Sequence, residues 1–221
     1  MNYQKLSQTV LFQGTDAAET ERMLKCLGAE ERHFDKEETV LHMGDTVTSL
    51  GVVISGSVII ENDDVWGNRT ILDHVGQGGI FAETYACVPG EKLMVSVVAA
   101  EQTDILFLNV ARILRTCPDS CGSHSRLIRN LLAVSARKNL NLSRKIFHTS
   151  SKTIRGRLLS YLSWQALQCG GAEFDIPYNR QQLADYLGVD RSALSNELGR
   201  MQKDGLIRVK RNHFVLSDGI E

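Results

Sequence analysis

Apolar residues recur at helical spacing in two short runs near the end of the chain, on either side of Gly188. They are Leu183, Ala184 and Leu187 in the first run, and Leu194, Leu198 and Met201 in the second. Asn179 and Asp190 stand where the two helices would begin, and both residue types cap helix N-termini well. Gly205 stands where the second helix would end, after Lys203 in its last turn. The pattern therefore predicts two short helices joined by a tight turn.

The spacing between these two helices is typical of a helix-turn-helix. Ala184 lies four residues before Gly188, and Leu194 lies six residues after it. The small residue lets two helices cross closely, and the later apolar residue fills the crossing. The second helix of this motif enters the major groove of DNA. Its outer face is predicted to carry side chains that suit base edges and phosphates: Arg191, Ser192, Ser195, Asn196 and Arg200.

Between residues 31 and 109 the pattern changes to short apolar runs separated by Gly, Asn-Asp and Pro-Gly turns. Several short strands at such spacing predict a small barrel or jelly roll. Within this region, residues 52–60 predict a hairpin, because two apolar strands flank a Ser-Gly turn.

Residues 123–149 contain neither Pro nor Gly, and their apolar positions follow a repeat close to a heptad. At 1.5 Å per residue, this helix would be about 40 Å long. We expect two copies of the chain to pair through residues 122–150. The alternative is a buried core helix of a monomer.

An amphipathic helix, a short strand at EFDIP, the helix-turn-helix and two strands around a basic RVKR tip follow the long helix. This order predicts a winged helix-turn-helix. The predicted architecture is α+β, with an N-terminal jelly-roll (double-stranded β-helix) barrel. Three segments are predicted: a sensor domain at 1–121, a dimerisation helix at 122–150, and a DNA-binding domain at 151–221.

Composition sets limits on this picture. The 221 residues carry a net charge of −1, and from residue 151 onward there are 10 Lys and Arg against 8 Asp and Glu. Attraction to phosphate must therefore come from the local placement of charge. No apolar run approaches the ~20 residues of a membrane span, and the start of the chain lacks the apolar core of a signal peptide. We expect a cytoplasmic protein with no membrane contact. The five scattered cysteines argue against a disulfide framework.

The order of barrel, long helix and winged helix-turn-helix resembles the Crp–Fnr family of bacterial transcription regulators over nearly the whole chain. The most specific match lies at residues 180–184, 187–189, 191, 198 and 205–207, and the barrel matches at residues 55–58, 78–83, 89–91 and 96–106. The resemblance implies a small effector in the barrel, a homodimer on near-palindromic double-stranded DNA, and a contact with RNA polymerase. It also adds Arg180 and Gln181 to the predicted DNA contacts.

The effector pocket departs from the family pattern. Cyclic-nucleotide-binding members hold the ribose with the Glu of a Gly-Glu pair and the cyclic phosphate with a following Arg-Ser pair. Here Glu83 is kept, but the Arg and Ser positions fall on Leu93 and Met94. A buried phosphate without its guanidinium loses a charge-assisted contact, at a cost on the order of several kcal/mol. We therefore expect an effector other than cyclic AMP, of unknown identity, or an unused pocket. The predicted pocket residues are Phe81, Ala82, Glu83, Thr84, Leu93, Met94, Leu142 and Ser143.

The recognition helix departs from the family as well. Arg191 is kept, whereas Ser192 replaces a common Glu and Asn196 replaces a common second Arg. Arg191 can contact guanine, and Asn196 can contact adenine, so we expect a half-site different from the best-known consensus. Glu197 occupies a position that is often apolar, and we expect it to face either a basic residue of another helix or solvent.

Other chemistries have weaker support. An iron–sulfur sensor needs an N-terminal cysteine cluster, and this N-terminus has only Cys26. Cys117, Cys121 and His124 have C-x3-C-x2-H spacing, which suits a metal or a redox pair. No fourth ligand is apparent, so structural thiols are favoured and no metal site is predicted.

Two other function classes were compared with the regulator. A cupin-like enzyme needs closely spaced histidines with a carboxylate, and His33, His42 and His74 form no such motif. No catalytic residue is predicted, and we do not expect an enzyme. A protein-interaction module whose helix-turn-helix no longer binds DNA is the remaining alternative.

Overall fold

The structure, a computed structural model, describes residues 2–63, 69–115 and 122–217. The chain divides into two compact units, residues 1–137 and 138–221. The division falls inside one long helix. The three segments predicted from sequence therefore remain a prediction about organisation along the chain.

The first unit contains short helices and eight strands among the described residues. They are α1 (Tyr3–Ser7), α2 (Ala17–Leu27), β1 (Glu30–Phe34), β2 (Thr39–Leu41), β3 (Ser49–Ser55), β4 (Ser57–Asp63), β5 (Arg69–Gly76), β6 (Ile80–Phe81), α3 (Glu83–Ala86), β7 (Ser96–Ala99), β8 (Thr103–Asn109) and α4 (Val110–Leu114). Helix α2 begins at a capping box formed by Asp16 and Glu19 and ends at Gly28, whose φ is 60°. Short-range side-chain chemistry thus fixes both ends of this helix.

The strands form two four-stranded antiparallel sheets, in the orders β1-β8-β3-β6 and β2-β7-β4-β5. A buried apolar cluster includes Val53, Val58, Phe81, Val97 and Ile105. These residues come from strands of both sheets. The arrangement confirms the predicted jelly-roll type of fold.

The hairpin predicted at residues 52–60 is wrong. Strand β3 pairs with β6 and β8, whereas β4 pairs with β5 and β7, so the chain changes sheet at Gly56. Gly56 has a φ of 74°, and a Cβ there would lie 2.4 Å from the carbonyl oxygen of Gln102. The chain turns at Ser55-Gly56 as the sequence predicts, but the two flanking strands pair with other strands and not with each other.

Helix α5 (Gly122–Thr149) begins in the first unit and ends in the second. Within the first unit, Leu127 and Leu131 are buried. Asn130 donates from its side-chain nitrogen to the carbonyl oxygens of Leu11 and Gln13, both over 2.9 Å. The predicted long helix is present with nearly the predicted bounds.

The second unit contains the rest of α5 and a small α/β arrangement. Its further elements are α6 (Ile154–Cys169), β9 (Glu173–Asp175), α7 (Arg180–Leu187), α8 (Arg191–Lys203), β10 (Ile207–Lys210) and β11 (His213–Leu216). The three strands form an antiparallel sheet in the order β10-β11-β9. This is the winged helix-turn-helix predicted from sequence.

The predicted helix ends of the motif are confirmed. Asn179 forms a capping box with Gln182, and Asp190 caps α8. Gly188 has the left-handed φ of 62° that the turn requires. The apolar residues of both helices are buried in one core with α6 and the wing.

Among the described residues, none of the helices combines the length and apolar character that a membrane span needs.

Candidate DNA interface and effector pocket

Helix α8 has one buried side and one exposed polar side. Leu194, Leu198 and Met201 are buried, each at 2% exposure or less. The side chains predicted to contact DNA are all exposed: Arg191, Ser192, Ser195, Asn196 and Arg200. The structure thus brings these five residues onto the solvent side of a single helix. Their roles in DNA contact remain a prediction.

The N-cap of α8 involves one of these five residues. The Asp190 carboxylate accepts hydrogen bonds from the backbone amides of Ser192 and Ala193, at 2.8 and 2.9 Å. The Ser192 hydroxyl donates to the same oxygen. These bonds lower the pKa of Asp190, chiefly through the Ser192 hydroxyl and the Ala193 amide. The hydroxyl hydrogen of Ser192 is therefore committed to the cap in the protein without DNA.

Glu197 faces a basic residue of another helix, which is one of the two alternatives expected from sequence. Its Oε1 accepts a hydrogen bond from Nε of Arg155 over 2.6 Å. Arg155 lies in the first turn of α6, and its Nη1 also lies 2.7 Å from Oδ2 of Asp204. These two carboxylates raise the pKa of Arg155, with Glu197 contributing most.

Arg180 and Gln181 lie at the start of α7, next to the wing. Nη2 of Arg180 donates to the carbonyl oxygen of Arg211 over 3.2 Å, and burial lowers the pKa of Arg180. Gln181 is exposed, and its side-chain nitrogen donates to Asp185 over 2.8 Å. One cleft, of about 380 Å³, lies in the first unit. Another cleft, of about 540 Å³, lies in the second unit between the start of α7 and the wing turn. Arg180 and Arg211 are among the residues that line this cleft beside the N-terminus of α7, and arginines next to a helix N-terminus suit a phosphate group.

Sequence reasoning did not identify Arg157. This α6 residue donates from Nη1 to the carbonyl oxygens of Leu187 and Gly188, at 2.9 and 3.1 Å, and from Nε to that of Ser151 at 2.8 Å. It thereby satisfies carbonyls at the C-terminus of α7, which lack partners within the helix. Leu187 and Gly188 lie 30 and 31 positions from Arg157 in the sequence, so no local pattern could have indicated these two contacts.

The predicted effector region begins at Phe81, which is fully buried and packs against Gly51. Ala82 has a φ of 60°, a left-handed conformation that is uncommon for a residue other than glycine. Glu83 follows with 3% exposure, whereas Thr84 is exposed. The side chain of Glu83 is therefore enclosed by the first unit, whereas that of Thr84 faces solvent, and the role of both residues in effector binding stays a prediction.

Leu93 and Met94 differ in how far their side chains are exposed to solvent. Leu93 is buried at 2% exposure, whereas the side chain of Met94 is 67% exposed. The backbone of Met94 is fixed, since its carbonyl oxygen accepts a hydrogen bond from Asn62 over 2.8 Å. Within the first unit, Leu93 therefore presents an apolar side chain to the interior, whereas the side chain of Met94 faces solvent.

Leu142 and Ser143 lie on the part of α5 that belongs to the second unit, and both side chains are exposed. Their place in an effector pocket stays a prediction. Cys117 and Cys121 lie outside the described residues, while His124 is buried at 5% exposure. Within residues 2–63, 69–115 and 122–217, no group of three His, Cys, Asp or Glu side chains is arranged to hold a metal ion.

Two family models match separate parts of the chain. A model described as a cyclic nucleotide-binding domain matches residues 31–119, and one described as a Crp-like helix-turn-helix domain matches residues 156–219. The first covers most of the strands, and the second covers the winged helix-turn-helix.

Curated relatives span most of the chain. It is 25% identical to electron transport regulator A of Shewanella oneidensis, over 85% of this chain and 75% of that protein. It is 24% identical to the cAMP-activated global transcriptional regulator CRP of Haemophilus influenzae, over 83% of this chain and 82% of that protein. Both relatives are described as regulators.

Solved structures share the fold. The catabolite activator protein of Thermus thermophilus aligns with a TM-score of 0.52 at 22% identity, covering 95% of this chain and 94% of that one. The c-di-GMP-responsive regulator CLP of Xanthomonas campestris aligns with a TM-score of 0.57 at 20% identity, covering 92% and 100%. The effectors in these descriptions belong to those proteins.

Proposed function

The chain belongs to the Crp–Fnr family of bacterial transcription regulators, and from this premise we propose how it recognises DNA and what controls it. It is a DNA-binding transcription regulator with an effector-binding type of sensor domain. The observation that carries the proposal is the two-sided character of α8, buried on one side and polar on the other.

Specific recognition is assigned to the exposed side of α8. Arg191 suits the O6 and N7 acceptors of guanine, and Asn196 suits the N6 and N7 atoms of adenine. Ser195 and Arg200 complete this surface with a hydroxyl and a guanidinium. Contacts to the DNA backbone are assigned to Arg180, to Gln181 and to the wing, where Lys210 and Arg211 are exposed. Backbone contacts fix the position on the duplex, and base contacts supply the specificity.

Two copies of the chain pair through α5 in this proposal, as is typical of the family. Beyond the two buried leucines near its start, the helix exposes large apolar side chains: Leu132, Leu140, Leu142, Ile146 and Phe147. Exposed apolar area of this kind on a long helix suits a helix–helix dimer interface. A two-fold dimer places two recognition helices on half-sites about 34 Å apart, which corresponds to a near-palindromic operator.

The sensor is proposed to bind a small effector other than cyclic AMP. The phosphate-binding Arg of the cyclic-nucleotide pattern is replaced by Leu93, whose side chain is buried, so an anionic phosphate would find no guanidinium from this position. Effector binding shifts the population between two arrangements of the dimer, and so changes the spacing of the recognition helices. RNA polymerase is the expected protein partner, in the bacterial cytoplasm where genomic DNA lies. We propose no catalytic activity for the chain.

DNA selection from a randomised duplex library tests the proposal. The full-length protein is incubated with the library, bound duplexes are sequenced, and the recovered motif is checked by gel shift. We expect a two-fold symmetric motif with half-sites one helical turn apart. Recovery of no motif, with binding that is weak for every sequence, would favour the interaction-module alternative instead.

A further inference from the structure

A small ionic cluster joins α8 and its C-cap to α6. We call it the Arg155 clamp, and it consists of Arg155, Glu197 and Asp204. The guanidinium of Arg155 bridges Oε1 of Glu197 at 2.6 Å and Oδ2 of Asp204 at 2.7 Å. The other oxygen of Glu197, Oε2, lies 3.5 Å from Nη1 of Arg200. One arginine of α6 is thus connected to Glu197 within α8 and to Asp204 at its C-cap, and through Glu197 to an exposed arginine of the predicted DNA contacts.

The two anchor points are well placed to fix the orientation of the helix. Glu197 and Asp204 are seven residues apart, which is about two turns, so they lie on nearly the same side and about 10 Å apart along the axis. A single contact would allow the helix to pivot, but two contacts along its length oppose both rotation and tilt. Ser195 and Asn196, only one or two residues from Glu197, point in other directions and remain exposed.

Packing in the core does not supply this constraint by itself. Leu194, Leu198 and Met201 bury the inner side of α8, but apolar contacts are non-directional and tolerate small rotations. A rotation of about 20° moves an atom 5–6 Å from the axis by about 2 Å, roughly the margin within which a hydrogen bond is made or lost. Charge-assisted hydrogen bonds to a planar guanidinium are directional. The side chain of Glu197 is only 12% exposed and that of Arg155 is 37% exposed, so water reaches this contact mainly from the arginine side.

We propose that Arg155 is a positioning residue for sequence recognition, which acts by holding α8 in the one orientation that aligns its exposed side chains with the bases. The inference rests on the proposed function as a sequence-specific DNA binder. It adds a residue outside the DNA interface that controls specificity while making no contact with DNA.

The test compares selected and unrelated DNA for the full-length protein and three variants. Arg155→Met and Glu197→Gln are each expected to lower the ratio of specific to non-specific affinity about tenfold. Arg155→Lys is expected to fall between them and the wild type, because an ammonium lacks the planar fork that holds two carboxylates at once. Library selection with Arg155→Met should show weakened preference at several positions of the half-site, as a rotated helix requires.

Lys152→Met is the matched control, since it removes one exposed positive charge three residues away. It should change specific and non-specific affinity equally. Circular dichroism melting of each variant shows whether it folds. If Arg155→Met does not fold, the affinity ratio of Arg155→Lys decides the test. The clamp is refuted if Arg155→Met and Arg155→Lys keep the wild-type ratio, or if Lys152→Met lowers the ratio as much. A wild-type protein that selects no sequence refutes the proposed function, and the role of the clamp with it.

Discussion

The imidazole of His148 and the hydroxyl of Tyr186 are hydrogen-bonded, with Nδ1 2.9 Å from the hydroxyl oxygen. The contact joins the last turn of α5 to α7, the first helix of the helix-turn-helix. His148 is buried at 1% exposure among the rings of Tyr161, Trp164 and Tyr186. Burial lowers the pKa of His148, and the charge of Arg144 lowers it further.

This environment predicts a loss of stability in mild acid. Because the pKa of His148 is depressed in the folded protein, the unfolded chain binds a proton that the folded chain does not, starting near the ordinary value of 6.5. The free energy of unfolding therefore falls as the pH drops from 7.5 through 6.5 and toward the folded pKa. Urea unfolding at pH 7.5 and 5.5, followed by tryptophan fluorescence, measures this free energy. A Trp66→Phe background leaves Trp164 as the one tryptophan of the sequence.

His148→Gln should lose less stability than the parent between these two pH values. The control is His33→Gln, which should leave unchanged the pH dependence of the unfolding free energy that Trp164 fluorescence reports. His33 is exposed in the first unit, and its hydrogen bond to Asp104 raises its pKa. Equal pH responses in His148→Gln and the parent would show that His148 does not cause the acid sensitivity.

Arg191→Ala is expected to weaken binding to the selected operator by about 1–3 kcal/mol and to relax preference at one base position. The reason is the bidentate fit of a guanidinium to guanine. Affinity measurements on operators that carry each base at that position provide the check. A uniform loss over all four bases would assign Arg191 to a phosphate instead.

Asn196 and Ser192 should contribute differently to the affinity for the operator. The hydroxyl of Ser192 already donates to Asp190, so a new bond to a base must compete with the N-cap. Over the described part of the chain, the side chain of Asn196 makes no hydrogen bond. We expect Asn196→Ala to cost about 1–3 kcal/mol of operator affinity and Ser192→Ala to cost less. Gel shifts with the wild-type operator compare the two, and a larger loss for Ser192→Ala would contradict the argument.

Cyclic AMP should not bind at micromolar concentration. Isothermal titration calorimetry of the wild type tests this directly, and micromolar binding would overturn the proposed departure of the pocket. Leu93→Arg combined with Met94→Ser restores the family's phosphate-binding pair and is expected to gain affinity. The gain should come with lower stability in the absence of the nucleotide, because Leu93 is buried and an arginine there would be desolvated.

Ala82→Gly is expected to leave the stability of the first unit unchanged or to raise it by up to about 1 kcal/mol. Glycine removes the strain of the left-handed conformation, which offsets the greater entropy of the unfolded chain. Ala82→Val should be destabilising by more than about 1 kcal/mol, because a β-branched residue fits this φ poorly. Urea unfolding of both variants provides the measurement, and equal stability of the two would contradict the strain argument.

Short-range chemistry explains why so much of the DNA-binding end could be predicted. The caps at Asn179 and Asp190 act over two or three residues, and the turn at Gly188 depends on one backbone angle. The apolar positions that form the core of the motif also follow a local pattern, the spacing of three or four residues along a helix. The exposed side of α8 follows from its buried side, because a helix has a fixed period.

The prediction failed where partners are distant in sequence. Residues 52–60 contain the turn but not a hairpin, since β3 pairs with β6 and β8, whereas β4 pairs with β5 and β7. Leu93 and Met94 are neighbours with the same apolar character, yet only Leu93 is buried. Strand pairing and burial depend on which segments fill the space nearby, and that information is spread over the whole sensor domain.

The sequence by itself determined the class of the protein and which side chains lie on the exposed side of α8, because helix period and capping are local properties of the chain. Only the tertiary structure decided what holds them in place. Arg155 and Glu197 are 42 residues apart and His148 and Tyr186 are 38 apart. Such contacts form only when folding brings the helices together, and a charged or aromatic side chain carries no local mark of its distant partner.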